Sequence, residues 1–371
     1  MNDFADFKKL VQAEKRFIIY GAQHHAHCMH IALKRLLPDV VNLFFMVSDK
    51  KDNPESLEGL DVRVIADCGR EYRQVPVLVA VSERYCDEIF GGLEAQKFSN
   101  IVNGAFGGRF DNDVRELYFQ NCFLSGTAQF QILAHMDGAK GHPGLDIGIY
   151  VAKSAADRKL QMELPMPEYA HTVLAGAALT KGKTADCRDD TGVNISHKNR
   201  NYCECTVAYH IWKNAKEAFV GLWHYRRRFL WDAKDMEILK GGGADVVLPY
   251  PVITVKGEYA VHYRPYVDEY AYQVMLSVLR ESWPEYYATA LEVMRGDLFY
   301  PCNILAAKRE IFAEYARWLF EVLEKVEDIC GDENVREDRY LGYLAEHLTT
   351  FYFVRNLKNM NVAHSRMEIL T

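Results

Sequence analysis

A chain of 371 residues, 49% hydrophobic and 26% charged, is long enough for two globular domains and has the ordinary composition of a soluble folded protein. Its formal net charge of −7 argues against a nucleic-acid binder, which shows a basic balance. Nine cysteines, an odd number without secreted-domain spacing, argue against a disulfide framework, and no apolar run approaches the ~18 residues of a membrane span. The opening MNDFADFKKLVQAEKRF lacks the long apolar core of a signal peptide, so the chain is expected to be cytoplasmic.

In chain order, residues 1–16 read as a short amphipathic helix and 17–20 as a buried strand ending in Gly21-Ala22. A helix follows with Met29, Ala32, Leu33, Leu36 and Leu37 on one side, then a strand over 41–47 with Asp49 at its end. Apolar runs at 60–65, 77–81 and 101–102 continue the alternation, which predicts an α/β, Rossmann-like parallel-sheet domain over 1–138. The dinucleotide fingerprint is incomplete: its glycine positions read Gly21, Gln23 and Ala26, and side chains in that loop block the close approach of a pyrophosphate. An NAD-dependent sugar-nucleotide-modifying enzyme is therefore only the alternative reading. His24, His25, His27 and His30 lack the spacing of a zinc-protease helix and read as a polar rim. With Val47-Ser48-Asp49 and Asn53-Pro54-Glu55, the segment resembles the small Rossmann-like domains attached to bacterial sugar-modifying enzymes.

Glycine and proline cluster at 139–144, the best linker in the sequence, and a fresh buried strand over 146–152 opens a second α/β domain spanning 145–371. A polar loop then offers Asp189, Asp190, Asn194, Ser196, Lys198 and Asn199 ahead of a helix over 201–214 with Tyr202, Cys205, Tyr209 and Trp212 on one side. Cys203 and Cys205 read as packing thiols and Trp212 as core. The strand over 218–223 ends in His224-Tyr225-Arg226-Arg227-Arg228. Ligands of open α/β sheets bind beyond the carboxyl ends of strands, so this is the expected anion-binding edge, with phosphate as the anion. Further on come a strand over 245–248, helices over 267–282 and 284–295, and a strand over 298–306 that holds Cys302-Asn303. A long amphipathic helix over 311–326 precedes a last helix over 336–355, whose Arg339, Gly342 and Glu346 lie opposite its apolar side.

One stretch carries a family resemblance. Asp190, Gly192, Asn194-Ile195-Ser196, Lys198-Asn199 and Tyr202-Cys203-Glu204, followed by Gly221-Leu222 and His224-Tyr225-Arg226-Arg227, match an ordered D-x-G-x-N-I-S-x-K-N-x-x-Y-C-E and G-L-x-H-Y-R-R pattern. In this the chain resembles the bacterial glycosyltransferases of capsular and other surface-polysaccharide gene clusters, over 145–371 only. The resemblance implies a GT-A-like domain that transfers a hexosyl residue, galactofuranose or galactose first, from a nucleotide-diphosphate sugar, with a UDP-sugar favoured. The acceptor would be a glycan or lipid-linked glycan of capsule, O-antigen or exopolysaccharide, reached by peripheral association with the inner face of the cytoplasmic membrane. An inverting route is expected, and a non-catalytic carbohydrate-binding subunit is a further alternative.

No D-x-D stands at a strand end. His224, Tyr225 and Arg226 occupy that place, so cationic side chains are expected to do the work of a metal, with Mg²⁺ or Mn²⁺ at Asp189-Asp190 left open. The donor site is expected to draw on Asp190, Asn194, Ser196, Lys198, Asn199, Tyr202, Glu204, Tyr225, Arg226, Arg227, Asn303 and Arg339. Asp338, at the start of a late helix, and Glu346, in an R-x-x-G-x-x-x-E-R pattern whose final arginine is His347 here, are the two candidates for general base. His224 joins them as a candidate catalytic residue.

Overall fold

The apolar run that begins at Phe17 forms the strand Arg16–Tyr20, buried almost throughout, as a central parallel strand must be. It lies in the first of two units into which the chain divides in the computed structural model, which describes residues 3–137, 144–160, 165–181, 185–332 and 334–370. The first unit is Met1–Gly126 with Ile253–Val255; the second is Thr127–Val252 with Lys256–Thr371. Both are α/β, and the 139–144 stretch lies, apart from Gly144, outside the described residues. Among the described residues no helix is long and apolar enough to cross a membrane.

In the first unit six strands run in the order Ser56–Leu57, Leu60–Val64, Val41–Val47, Arg16–Tyr20, Val77–Val79, Ile101–Asn103. All neighbours pair in parallel except the short hairpin strand Ser56–Leu57. Helices His24–Leu36 and Cys86–Ala95 make crossovers, and Arg109–Cys122 follows the last strand. The chain fills one side of Arg16–Tyr20 and then the other, so the order reverses at the end of that strand. Gly21 stands there at φ 115°, where a Cβ would lie 2.7 Å from the Ala80 carbonyl oxygen, so glycine is required. Gln23 fills the next fingerprint position with a side chain, its Nε2 donating to the Asp52 carbonyl at 2.7 Å and to Asn53 Oδ1 at 3.1 Å.

The four histidines have local partners. His25 Nε2 lies 2.8 Å from the Gly104 carbonyl, His27 Nε2 2.8 Å from Glu58, His30 Nδ1 3.3 Å from Asn42, and His24 Nε2 3.4 Å from Cys28 Sγ.

The second unit is built on a sheet ordered Val362–Ser365, Val246–Pro249, Leu305–Lys308, Phe219–His224, Ile147–Lys153, Ala170–Leu174, Cys187–Arg188. From Phe219–His224 to Cys187–Arg188 the pairing is parallel. Leu305–Lys308 runs antiparallel between Phe219–His224 and Val246–Pro249. The chain then doubles back at His224 into Arg227–Phe229, which pairs with Met367–Ile369. Trp223, Phe229 and Trp231 cluster under the sheet with ring centroids 5.3–6.1 Å apart. Burying each such ring stabilises by roughly 1.5–3 kcal/mol. Phe320, on the 22-residue amphipathic helix Arg309–Cys330, packs against Tyr202, Tyr209 and Trp212, which binds helix Cys205–Asn214 to it; Trp212, expected in the core, is only half-buried there.

Three expected elements are interrupted. The helix expected over 201–214 breaks into Asn199–Tyr202 and Cys205–Asn214 at Cys203, whose φ is 52°. The strand expected over 298–306 becomes Leu298–Phe299 and Leu305–Lys308, with Cys302 (φ 74°) and Asn303 (φ 51°) between them. The last helix, Tyr340–Asn356, starts later than expected because Arg339 takes φ 65°. Left-handed backbone costs a residue with a Cβ about 1–2 kcal/mol, and these four positions converge on one place.

Candidate functional site

Strands Ile147–Lys153, Ala170–Leu174 and Phe219–His224 are parallel and end side by side, with Lys153 opposite Leu174 and His224 opposite Ala152. Beyond those ends lies a cavity of about 580 Å³. Lys153, Ser154, Asp157 and Arg158 line it from the first strand end, Ala175 from the second, and His224, Tyr225 and Arg226 from the third. Asn199, Arg200, Cys203 and Glu204 come from the interrupted helix, and Arg339 from the left-handed residue before the last helix. Five cationic side chains thus face two acidic ones, Asp157 and Glu204, so the cavity is net positive in a net negative chain.

The cations differ in how far the protein already engages them. Arg200 pairs with Glu337. Arg226 belongs to no ion pair among the described residues, and its Nε is buried without a hydrogen-bond partner, as is that of Arg227. A buried guanidinium nitrogen left unpaired costs free energy that an anionic ligand recovers. His224 is a different kind of group: burial, reinforced by Arg227, Arg226 and Arg339, pushes its pKa down to about 3, so it is neutral near pH 7. Its Nδ1 accepts from the Arg226 backbone N–H at 3.4 Å, which places the ring proton on Nε2.

The strained residues form the wall at Glu204. Arg339 Nε donates to Cys203 Sγ at 3.1 Å. Asn303 Nδ2 donates to Glu204 Oε1 and to the Gly342 carbonyl, both at 3.0 Å, so its left-handed turn holds the carboxylate in place. Gly342 lets the last helix approach closely: a Cβ there would lie 3.0 Å from Cys203 Cβ and Sγ. One turn further, Glu346 accepts from the Cys302 N–H at 2.8 Å. Burial pushes its carboxyl up to about 7, helped by Glu204 and opposed by the Cys302 hydrogen bond, Arg227 and Arg339. A carboxyl poised near neutrality beside a cationic cavity is suited to taking a proton from a hydroxyl.

The family model described as a domain of unknown function (DUF4422) matches residues 155–357, more than half of the chain. The chain belongs to the DUF4422 family. A solved structure, the apo form of the bifunctional glycosyltransferase WbbM, is similar with a TM-score of 0.52 and 25% identity, covering 61% of this chain and 45% of that one. The chain therefore spans less than half the length of that neighbour. A comparison with curated protein sequences gave no match.

Within this DUF4422 chain, Asn199, Glu204, His224, Tyr225, Arg226 and Arg339 of the expected site line the cavity. Arg227, Asn303 and Glu346 are not among the lining residues but interact with ones that are, Glu204, His224 and Arg339. The remaining expected residues hold the loop itself. Asp190 is clasped by Arg188 at 2.8 and 3.0 Å, and Asn194 caps its own turn by accepting from the Ser196 N–H at 3.2 Å. Ser196 is fully buried on Asp189. Lys198 at 2.7 Å and Tyr202 at 2.9 Å both donate to Glu327. Asp338 points away, half-exposed and gripped by Arg336. His347 is buried and neutral, its Nδ1 3.0 Å from the Tyr259 hydroxyl, so it does not repeat the arginine of the motif.

Asp189 does not fit a metal. Its Oδ1 accepts from Ala177 N–H and Ser196 Oγ and its Oδ2 from Gly176 N–H and Thr206 Oγ1, which uses the lone-pair sites of a carboxylate. Among the described residues no cluster of three or more His, Cys, Asp or Glu has the arrangement of a metal site. Lys153, Asp157, Arg158 and Arg200 were missed from the sequence. The signal for the first three was available, since they follow a recognised strand and the strand-end rule applies there as it does at His224.

Proposed function

We propose that the second unit carries a GT-A-like glycosyltransferase domain within 145–371, and that the first unit is a separate Rossmann-like domain. The donor is a nucleotide-diphosphate sugar, UDP-galactofuranose or UDP-galactose first, and the acceptor a bacterial surface glycan. The observation that carries the reading is Arg226, unpaired and part-buried at a parallel strand end inside a cationic cavity. The likeness to a glycosyltransferase of solved structure supports the class of reaction. In this reading Glu346 takes the proton of the acceptor hydroxyl while its oxygen attacks the anomeric carbon. The nucleoside diphosphate leaves with the bonding pair, and Arg226, Arg339 and Lys153 meet its growing charge. His224, neutral, offers its Nε2–H as a hydrogen-bond donor, and Glu346, with its pKa near 7, is a better base than exposed Asp338.

The test is thermal stabilisation by UDP, GDP, CMP and NAD. UDP is expected to raise the melting temperature of the wild type without added metal. Arg226→Ala is expected to weaken that binding roughly 10–100-fold, the worth of one charge-assisted contact. Absence of any nucleoside-diphosphate effect, or equal binding by the variant, would remove the arginine-based donor site; stabilisation by NAD alone would move the chemistry to the first unit.

A further inference from the structure

Single exposed apolar side chains are ordinary on a folded surface, but exposed aromatic rings stacked on one another at the edge of a polar cavity offer an apolar face beside polar groups. Tyr266 is 53% exposed and stacks on Tyr343, with ring centroids 4.7 Å apart and planes 22° from parallel. Tyr343 stands one turn after Arg339 on the last helix, and the Arg339 guanidinium lies 5.7 Å from its ring centroid. Arg339 itself lines the cavity. Burial raises the Tyr343 hydroxyl's pKa, and Arg339, Cys203, Glu346 and Tyr266 all act on it electrostatically, so the ring bridges the cavity wall and the exposed Tyr266. Tyr266 is fixed by its own turn, its N–H donating to the Tyr263 carbonyl at 2.8 Å.

We propose that Tyr343 and Tyr266 form the platform on which a hexopyranose ring of the acceptor glycan stacks. This rests on the transferase reading of the neighbouring cavity. A pyranose presents axial C–H bonds on one face and hydroxyls around its rim. A tyrosine ring covers the apolar face, while its hydroxyl and adjacent charged groups engage the rim. Such rigid aromatics give up little side-chain entropy when a ligand is bound. The strip is continuous with the cavity at Arg339 and adjoins Glu346, the side on which an acceptor hydroxyl must enter if Glu346 takes its proton.

The experiment uses the full chain and saturation-transfer NMR with the methyl glycosides of galactopyranose, glucopyranose and N-acetylglucosamine, and UDP binding is measured on the same samples. At least one glycoside is expected to receive saturation at its ring protons on the wild type. Tyr266→Ala is expected to reduce that signal at least about fivefold, Tyr266→Phe to retain most of it, and Tyr85→Ala, at an exposed tyrosine of the first unit, to leave it unchanged. UDP binding is expected to be equal in all four proteins. No glycoside signal on the wild type, or a signal indifferent to Tyr266→Ala, overturns the platform. A self-associated wild type that Tyr266→Ala converts to monomer, again with no glycoside signal, overturns it in favour of a second copy of the chain. These failures leave UDP binding intact and so are distinct from failure of the donor site, which shows as loss of nucleotide binding in the wild type itself.

Discussion

At the scale of single residues, Glu346 is a carboxyl whose environment departs clearly from solution. Its carboxyl titrates near 7 in the folded chain against an ordinary value of 4.5, chiefly because it is desolvated. As a base it must be ionised, so the rate of transfer is expected to rise with pH through a midpoint near 7. Glu346→Gln should lower that rate by about 10²–10⁴-fold with UDP binding retained. A pH profile with its acidic limb near 4, or a Gln variant of normal rate, would exclude it. The sign of the stability effect follows from the same shift. The folded chain holds this proton more tightly than the unfolded chain, so the contribution is full below about 4.5 and is lost as pH rises through about 7. The stability of wild type relative to Glu346→Gln should therefore fall across that window in denaturant titrations. The motif made Glu346, Arg339 and Glu204 legible from sequence. It did not separate cavity-lining residues from loop-holding ones, because Asp190 and Ser196 owe their roles to Arg188 and Asp189, partners that only the folded loop brings into place.

At the scale of elements, the last helix approaches the Cys203 break only because residue 342 is glycine. Gly342→Ala has two opposed effects. Alanine is favoured over glycine in a helix by about 1 kcal/mol, but its Cβ would sit 3.0 Å from Cys203, and overpacking costs about 1–3 kcal/mol. Cys203 has little room to move: its N–H donates to the Asn199 carbonyl at 2.8 Å and its φ is already 52°. The clash is expected to win, with a lower melting temperature and weaker UDP binding as the Cys203–Glu204 wall shifts. A stabilised variant with unchanged binding would show that the wall yields freely. Helix periodicity in the sequence was read correctly for Pro284–Arg295 and for most of Arg309–Cys330. Helix periodicity failed at Cys203 and Arg339, and the strand pattern failed at Asn303, where the backbone adopts locally unfavourable angles that tertiary hydrogen bonds sustain and that no local pattern announces.

At the scale of the whole molecule, strand and helix alternation made both α/β units visible, whereas the division at Gly126 was not. Residues after it belong with the second unit through long-range pairing: Ile132 bridges to His364, and the Gln131 carbonyl accepts from the His364 N–H at 2.8 Å. Such pairing leaves no trace in local composition. The charge of the cavity, by contrast, comes in part from strand ends, through Lys153, Arg158 and Arg226, and it leads to a prediction about metal. A diphosphate needs its negative charge balanced, either by a divalent ion held on carboxylates or by side-chain cations. Here the acids of the 189–190 pair are consumed, Asp189 by four donors and Asp190 by Arg188, while the cavity carries Lys153, Arg158, Arg200, Arg226 and Arg339. UDP affinity measured by calorimetry is therefore expected to change by less than about threefold between EDTA and millimolar Mn²⁺. It should fall as salt rises, since a ~10 Å Debye length at 0.1 M screens the rim cations, with the slope reduced in Arg226→Ala. A tenfold or greater gain on adding Mn²⁺ would mean that Asp157 and Glu204, the two acids of the cavity wall, recruit the ion when the diphosphate is bound, and the cationic side chains would then serve only to assist it.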